Sequence, residues 1–316
     1  MKESFDFYSK TSLKSYNLDE RIHYQLKLLD SLDAYTRRHS ENVAAITCRL
    51  CEYLKLSQEF TIYTTTCAYI HDIGKMFIPP EILQKPSRLT DEEFEVMKTH
   101  TTIGYKMCMN DPKLRPYAAG PLYHHEALNG TGYPNGVTAK KIPYEAQIIR
   151  VADEFEAISA KRQYKTHVGI VETLNMLIDD TKPNNLNKIS MVDGLKILSD
   201  ETRLGKIDRR IVKALFRVVI DDTEYEISAR SDYLDYLKNE IKRFEEALRY
   251  YEKMQAARTE SKKEYYRQGA AAYLRRNENV DTIPETLKEL KEAYKERKDH
   301  INKLFLEVKQ IKKLVV

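Results

Sequence analysis

Apolar side chains recur at steps of three and four along most of this chain, and that period limits the folds open to it more than any other feature. In the C-terminal third, Leu234, Leu237, Ile241, Phe244, Leu248 and Tyr251 form one seam. Leu287, Leu290, Tyr294, Arg297, Ile301, Leu304, Val308 and Ile311 form a second, in which only Arg297 departs from the apolar set. Such a seam turns one stripe of an α-helix toward a partner helix; on a strand, where side chains alternate every two residues, it would be split between the faces. Upstream, Ile22, Leu26 and Leu29, and then Val43, Ile46, Leu50 and Leu54, keep the helical step, while strand signals are poor throughout. The spacing predicts an all-α protein.

Punctuation divides the helices. Gly74, Pro79-Pro80, Asp111-Pro112, Pro116 and the NGTGYPNG segment at 129–136 read as breaks between short helices. After a polar interruption at 179–185, helices over Met191 to Leu198 and Ile207 to Val219 close a first domain, 1–225, and leave 226–316 as a helical tail. Within that tail, Thr282 with Glu285 reads as a capping box with an early proline at Pro284. The two seams predict either an antiparallel coiled-coil-like hairpin or a homodimer through the C-terminal helices, and the pattern favours neither.

Composition excludes several classes. Hydrophobic residues make up 42%, charged residues 32%, and Gly and Pro number 10 each, which argues against disorder and loop-rich scaffolds. No apolar run approaches the roughly 18 residues of a membrane helix, and the first residues lack the apolar core of a signal peptide, so a cytoplasmic protein without membrane contact is expected. About 30 residues precede the first proposed ligand region, too few for an N-terminal receiver or sensor domain. The net charge of +4 lies wholly in the tail: residues 226–316 hold 21 Lys and Arg against 17 Asp and Glu, leaving 31 against 31 before it. That spread is a solvated helical surface rather than a nucleic-acid face. Cys48, Cys51, Cys67 and Cys108 offer one C-x-x-C and no second pair, hence reduced core thiols rather than a zinc site. There is no GxxxxGK, and no GxGxxG opens a helix, which argues against ATP and dinucleotide cofactors.

Five of the eight histidines fall between His39 and His125, in helical segments that also carry Asp72 and Asp153. One such histidine would mean little; the set suggests a metal centre. His71 and Asp72 follow an apolar helical stretch and precede Gly74, and adjacent helical residues point about 100° apart, so the pair can grip one ion only near a helix end. A carboxylate has two oxygens and can bridge two cations, which an imidazole cannot. Lys75 follows, near enough to help hold a phosphate.

The segments HDIGKMFIPPEIL at 71–83 and HHEALNGTGYPNG at 124–136 resemble the HD-GYP subgroup of the HD phosphohydrolase superfamily. The resemblance extends through YTRRHSENVA at 35–44, KPSRLTDEEFEVMKTH at 85–100 and IPYEAQIIRVADEFEAISAKRQYK at 142–165, in the family's order, over roughly residues 30–220. It implies an HD-type helical bundle with metal-dependent phosphodiesterase activity on cyclic di-GMP, giving linear pGpG and/or GMP. It further implies that His39, His71, Asp72 and Asp153 hold one divalent ion and His100, His124 and His125 a second, with Asp72 bridging. Imidazole and carboxylate ligation without thiolate suits Fe, Mn, Ni, Co or Zn.

By the same resemblance, Asp72 and Lys75 are catalytic, and Lys75, Arg162 and Lys165 meet the substrate phosphates. The loop Gly132-Tyr133-Pro134 is a docking element for a diguanylate cyclase domain. Some relatives carry a Glu at the position of Tyr35 and bind a third metal; a phenol is a poor ligand at neutral pH, so two ions are expected. Asn129 replaces the family's usual Asp, keeping the acceptor oxygen and losing the charge, and Glu126 is a candidate acceptor for a ligand imidazole N–H. Two other readings fit the same residues: an HD phosphohydrolase for another nucleotide or cyclic dinucleotide, and a slow, metal-containing module that binds cyclic di-GMP or a cyclase domain.

Overall fold

In the computed structural model, residues 34–85, 87–159 and 191–314 are described. Helix α1, Ala34–Tyr53, forms where Val43, Ala44, Ile46, Leu50 and Cys51 bury one stripe. Leu50 is fully buried, and its truncation to Ala costs about 2–5 kcal/mol on general grounds. Helix α2, Gln58–Tyr69, starts on Ser57, whose hydroxyl accepts from the Phe60 N–H. Its buried face is unusual in being made largely of threonines, Thr61 and Thr64 to Thr66.

A 3-10 turn, Ile73–Phe77, and a single helical turn, α3, Pro80–Leu83, lead to helix α4, Asp91–Asn110. The α4 start is a full capping box: the Thr90 hydroxyl accepts from the Glu93 N–H at 3.3 Å, and the Glu93 carboxylate accepts from the Thr90 N–H at 2.7 Å. Ile78, Leu89 and Met97 bury a small cluster beneath it. Short helix α5, Ala119–Tyr123, helix α6, Tyr144–Ser159, and helix α7, Met191–Arg203, complete this part. Helices α1, α2, α5 and α6 pack together, α7 lies on α6, and α4 packs on α5 and on the 3-10 turn.

Helix α8, Arg209–Ala256, runs out of this unit; the chain divides near Ile220, with Ile220–Lys312 forming a second compact unit. That unit contains most of α8, helix α9, Glu260–Ala271, and helix α10, Ile283–Leu314. Its two seams meet within one chain. Ile227 clusters with Ile301, Leu304 and Val308, whereas Phe244 and Ala247 cluster with Ile283 and Leu287, so low positions of α8 face high positions of α10. The ion pairs Glu224–Lys312 and Glu245–Lys291 fix the same antiparallel register, each step of 21 residues along α8 matching 21 backward along α10. At the closed end, Arg243 grips Glu278 through both guanidinium nitrogens at 2.6 and 2.7 Å, while Arg275 and Arg243 share Glu240.

One expectation fails here. Thr282 lies in a 3-10 turn, Val280–Thr282, and its hydroxyl donates to the Asn279 carbonyl instead of capping α10; the Asn279 side chain caps that turn by accepting from Asp281 N–H. The competing local hydrogen bond of a Thr beside an Asn decides the difference. Among the described residues there is no strand, only one isolated bridge between Asn129 and Thr138, and no helix is long and apolar enough to cross a membrane.

Candidate metal centre

Helix α2 stops one residue short of Ile70, so His71 and Asp72 occupy the turn between α2 and the 3-10 turn, where adjacent side chains can converge. Gly74 permits this turn to touch α4: a Cβ there would sit 1.9 Å from the His100 carbonyl oxygen. His39 comes from α1, His100 from α4 and Asp153 from α6, while His124 and His125 directly follow α5. His71, Asp72, His100 and His124 are at most 1% exposed.

Three of the five imidazoles are held to backbone carbonyls by Nδ1. Nδ1 of His71 lies 2.6 Å from the Ala68 carbonyl, Nδ1 of His100 2.7 Å from Met97, and Nδ1 of His124 3.0 Å from both Gly120 and Pro121. A carbonyl only accepts, so Nδ1 carries the proton and Nε2 presents a lone pair. The lone pairs converge on Asp72. Its Oδ2 faces His39 and His71 at 3.5 and 3.3 Å, and its Oδ1 faces His100 and His124 at 3.4 and 3.8 Å. Asp153 Oδ1 joins the first group, 3.0 Å from His39 Nε2 and 3.8 Å from His71 Nε2. Donor atoms of His39, His71 and Asp153 lie within 4.8 Å of one another, as do those of His100, His124 and His125, and of His71, Asp72 and His124.

These residues fit cations. Among the described residues, His71 Nε2 and Asp72 Oδ1 are fully buried without a hydrogen-bond partner, a costly arrangement for protein alone. The Nε2 atoms of His100 and His124 stand 3.2 Å apart, and with both Nδ1 protons committed to carbonyls a cation between them would relieve the facing lone pairs. Burial drives His100 down to about 4 and holds His124 and His125 well below the ordinary histidine range, so all three are neutral at pH 7. Burial opposes ionisation of Asp72, but the Lys75 ammonium and His71 overcome it, and His39 does the same for Asp153; both carboxyls are held below their usual range. Burial also pulls His39 down, yet the Glu156 and Asp153 carboxylates raise it to about 10.

Lys75 Nζ lies 2.5 Å from Asp72 Oδ2, and its side chain is 18% exposed. The Gly132-Tyr133-Pro134 loop stands against the second histidine group: the Tyr133 ring lies over His125, 4.6 Å between centroids, and the Tyr133 N–H donates to the His125 carbonyl. Tyr133-Pro134 is a cis peptide. Glu126 behaves differently from the expectation. Its carboxylate accepts from the Asn135 and Val137 N–H groups at 2.7 and 3.0 Å, closing the loop rather than backing an imidazole. Asn129 accepts from Thr131 N and Oγ1 and donates to the Leu204 carbonyl, which ties the loop to the end of α7. Arg162, Lys165 and the Tyr35 side chain lie outside the described residues.

Sequence reasoning missed the supports. Glu156 accepts from or pairs with His39 Nδ1 at 2.6 Å and accepts from Asn42 Nδ2 at 2.9 Å. Its spacing of three from Asp153 on one helix face was the available signal. Arg150 donates to the His125 carbonyl at 2.9 Å and pairs with Glu154, which burial raises to about 7.

A family model described as an HD domain matches residues 24–184, half of the chain. The chain belongs to the HD domain family. Its HDIGK and HHEALNGTGYP segments resemble those of the HD-GYP subgroup, and HD domains bind divalent metals. Relatives include a cyclic di-GMP phosphodiesterase of Thermotoga maritima, 42% identical over 146 residues, covering 44% of this chain and 40% of that protein. A cyclic di-GMP phosphodiesterase response regulator of Xanthomonas campestris is 36% identical over 141 residues, 44% of this chain and 37% of its own length. A 3'3'-cGAMP-specific phosphodiesterase of Vibrio cholerae is 34% identical over 151 residues, 48% of this chain and 33% of its own length. The match thus spans less than half the length of each of these relatives.

Proposed function

We propose that this HD domain is a metal-dependent phosphodiesterase that hydrolyses cyclic di-GMP to linear pGpG and/or GMP. The observation that carries the reading is Asp72, whose two oxygens face two separate histidine groups. His39, His71 and Asp153 would hold one divalent ion, His100, His124 and His125 the other, with Asp72 shared between them. Fe, Mn, Ni, Co and Zn all suit this donor set. Bound there, the ions supply a Lewis-acid field that acidifies water and neutralises charge on a phosphoryl group.

The chain's own residues do the rest. Carbonyls behind His71, His100 and His124 fix the tautomer that offers Nε2, so no reorientation is needed on binding. Lys75 keeps Asp72 ionised and adds a fixed positive charge at the rim, where a phosphoryl oxygen would sit. Arg162 and Lys165 are proposed for the second phosphate. The Gly132-Tyr133-Pro134 loop, held by Glu126 and Asn129, is proposed as the face that meets a diguanylate cyclase domain, and the C-terminal helices as the route to any homodimer.

A second reading, hydrolysis of a different cyclic dinucleotide, draws on the Vibrio cholerae relative, whose name specifies 3'3'-cGAMP. Metal ligands dictate reaction type more strongly than base identity. Full-length protein, purified anaerobically and metal-loaded, is incubated with cyclic di-GMP and 3'3'-cGAMP and the products are separated by chromatography. Conversion of cyclic di-GMP to pGpG or GMP is expected. Cleavage of 3'3'-cGAMP alone selects the second reading, and tight binding of either without turnover in metal-replete protein overturns both in favour of a binding module.

A further inference from the structure

The two donor groups are backed by different chemistry. Behind the second group, among the described residues, stand the neutral carbonyls of Met97 at His100 and of Gly120 and Pro121 at His124, and the His125 carbonyl accepts from the Arg150 guanidinium. In the first group His71 is likewise backed by a carbonyl, of Ala68, but His39 is backed by a carboxylate. Glu156 Oε2 lies 2.6 Å from His39 Nδ1, and its other oxygen is fixed by Asn42 Nδ2 at 2.9 Å, so the carboxylate cannot swing away without losing two partners. Glu156 is 5% exposed, and its charge is therefore weakly screened. Asp153 stands with the first group, 3.0 Å from His39 Nε2, and its charge, like that of Asp72, is also felt at His124 and His125.

We infer that Glu156 is a positioning residue that makes the His39–His71–Asp153 group the tighter of two cation sites, so that ions load in a fixed order. The inference rests on the two-ion reading and adds an affinity difference to it. A carboxylate accepting the Nδ1 proton of an imidazole locks the ring with Nε2 outward and increases its basicity toward a cation, and loss of such a partner typically costs 10- to 100-fold in metal affinity. Lys75 works in the opposite direction, since its ammonium sits on the Asp72 oxygen that faces the first group. One ammonium against the carboxylates of Asp153 and Glu156 still leaves the first group the more negative. A hard cation such as Mn2+ favours oxygen-rich surroundings over three imidazoles, which points the same way.

The probe is Mn2+ alone. Full-length protein stripped by chelator is titrated with MnCl2, followed by calorimetry and by electron paramagnetic resonance. Wild type is expected to bind in two resolved steps, the first equivalent giving an isolated-ion spectrum and the second an exchange-coupled one. Glu156→Gln keeps the size of the side chain and removes its charge; it is expected to weaken the tighter step about 10- to 100-fold and to leave the weaker step within about twofold. Asn42→Ala, a milder change, is expected to weaken the same step by a smaller factor, which covers the case in which the Glu156 variant does not fold. Equal weakening of both steps, or no change in either, overturns the inference while leaving the two-ion reading intact. Wild-type protein that binds no Mn2+ overturns both.

Discussion

Gly74→Ala is a one-methyl change that should disable the metal centre without touching a ligand side chain. The new Cβ would lie 1.9 Å from the His100 carbonyl oxygen, 2.7 Å from Gly104 N and 2.8 Å from the His100 carbonyl carbon, all backbone atoms that cannot rotate away. Ordinary contact begins at 3.4 Å, so the 3-10 turn and α4 must separate by about 1.5 Å. Metal–ligand distances tolerate only about 0.2 Å, and the separation moves Asp72 and His71 directly away from His100. Overpacking of this kind costs about 1–3 kcal/mol, which in a unit of this size lowers the melting temperature by about 2–12 °C. Elemental analysis and scanning calorimetry of the same preparations provide the two readouts.

Gly205→Ala serves as the control. Its φ of +71° imposes a backbone penalty of about 1 kcal/mol, yet nothing lies within 4 Å of its Cβ. It should lower the melting temperature slightly and keep the metal. The reasoning is refuted if Gly74→Ala retains full metal content, whatever its stability, because the contact between the turn and α4 would then not position the ligands.

Asp72→Ala should lose both ions and all turnover, since it removes the oxygen that each histidine group faces; bound metal with retained activity removes the bridging assignment. Arg243 holds the Glu278 carboxyl down to about 2 from 4.5, so this pair's stabilisation is complete above pH 4.5 and is lost as pH falls through about 2. Arg243→Met should therefore destabilise the hairpin by about 1–2 kcal/mol at neutral pH after solvent screening, with the difference from wild type shrinking toward pH 2 in acid-titrated denaturation curves. Burial pushes the Cys51 and Cys108 thiols up to about 12 and Cys48 and Cys67 in the same direction. Native protein at pH 7.5 should resist iodoacetamide, and mass-spectrometric labelling of any of the four before unfolding contradicts their burial.

The fold class was legible because helical periodicity survives at nearly every buried stripe, from Val43 to Leu50 and through both tail seams. The seams left hairpin and dimer equally open, and what separates them is pairing across the chain: Glu224 with Lys312 and Glu245 with Lys291 have no signature in either helix taken singly. Local caps were read unevenly. Thr282 matched the capping-box pattern but found a nearer carbonyl at Asn279, whereas the box that forms, at Thr90 and Glu93, lay unremarked inside a motif.

At the metal centre, residue types and order exposed the histidines and Asp72, because few other patterns need them. Their supports escaped notice for a physical reason. Carbonyls of Ala68, Met97 and Gly120 belong to backbone and are silent in sequence, and Glu156 reaches His39 across 117 positions. Adjacency suggested an imidazole partner for Glu126, yet its carboxylate is taken up by the Asn135 and Val137 amides of the loop.

The central claim is that seven side chains from five segments cage a pair of divalent cations around Asp72. Elemental analysis of full-length protein purified without oxygen or chelator tests it most directly. Two ions per wild-type chain and none in the Asp72→Ala chain are predicted; a wild-type chain free of divalent metal, or an Asp72→Ala chain that keeps both ions, contradicts it.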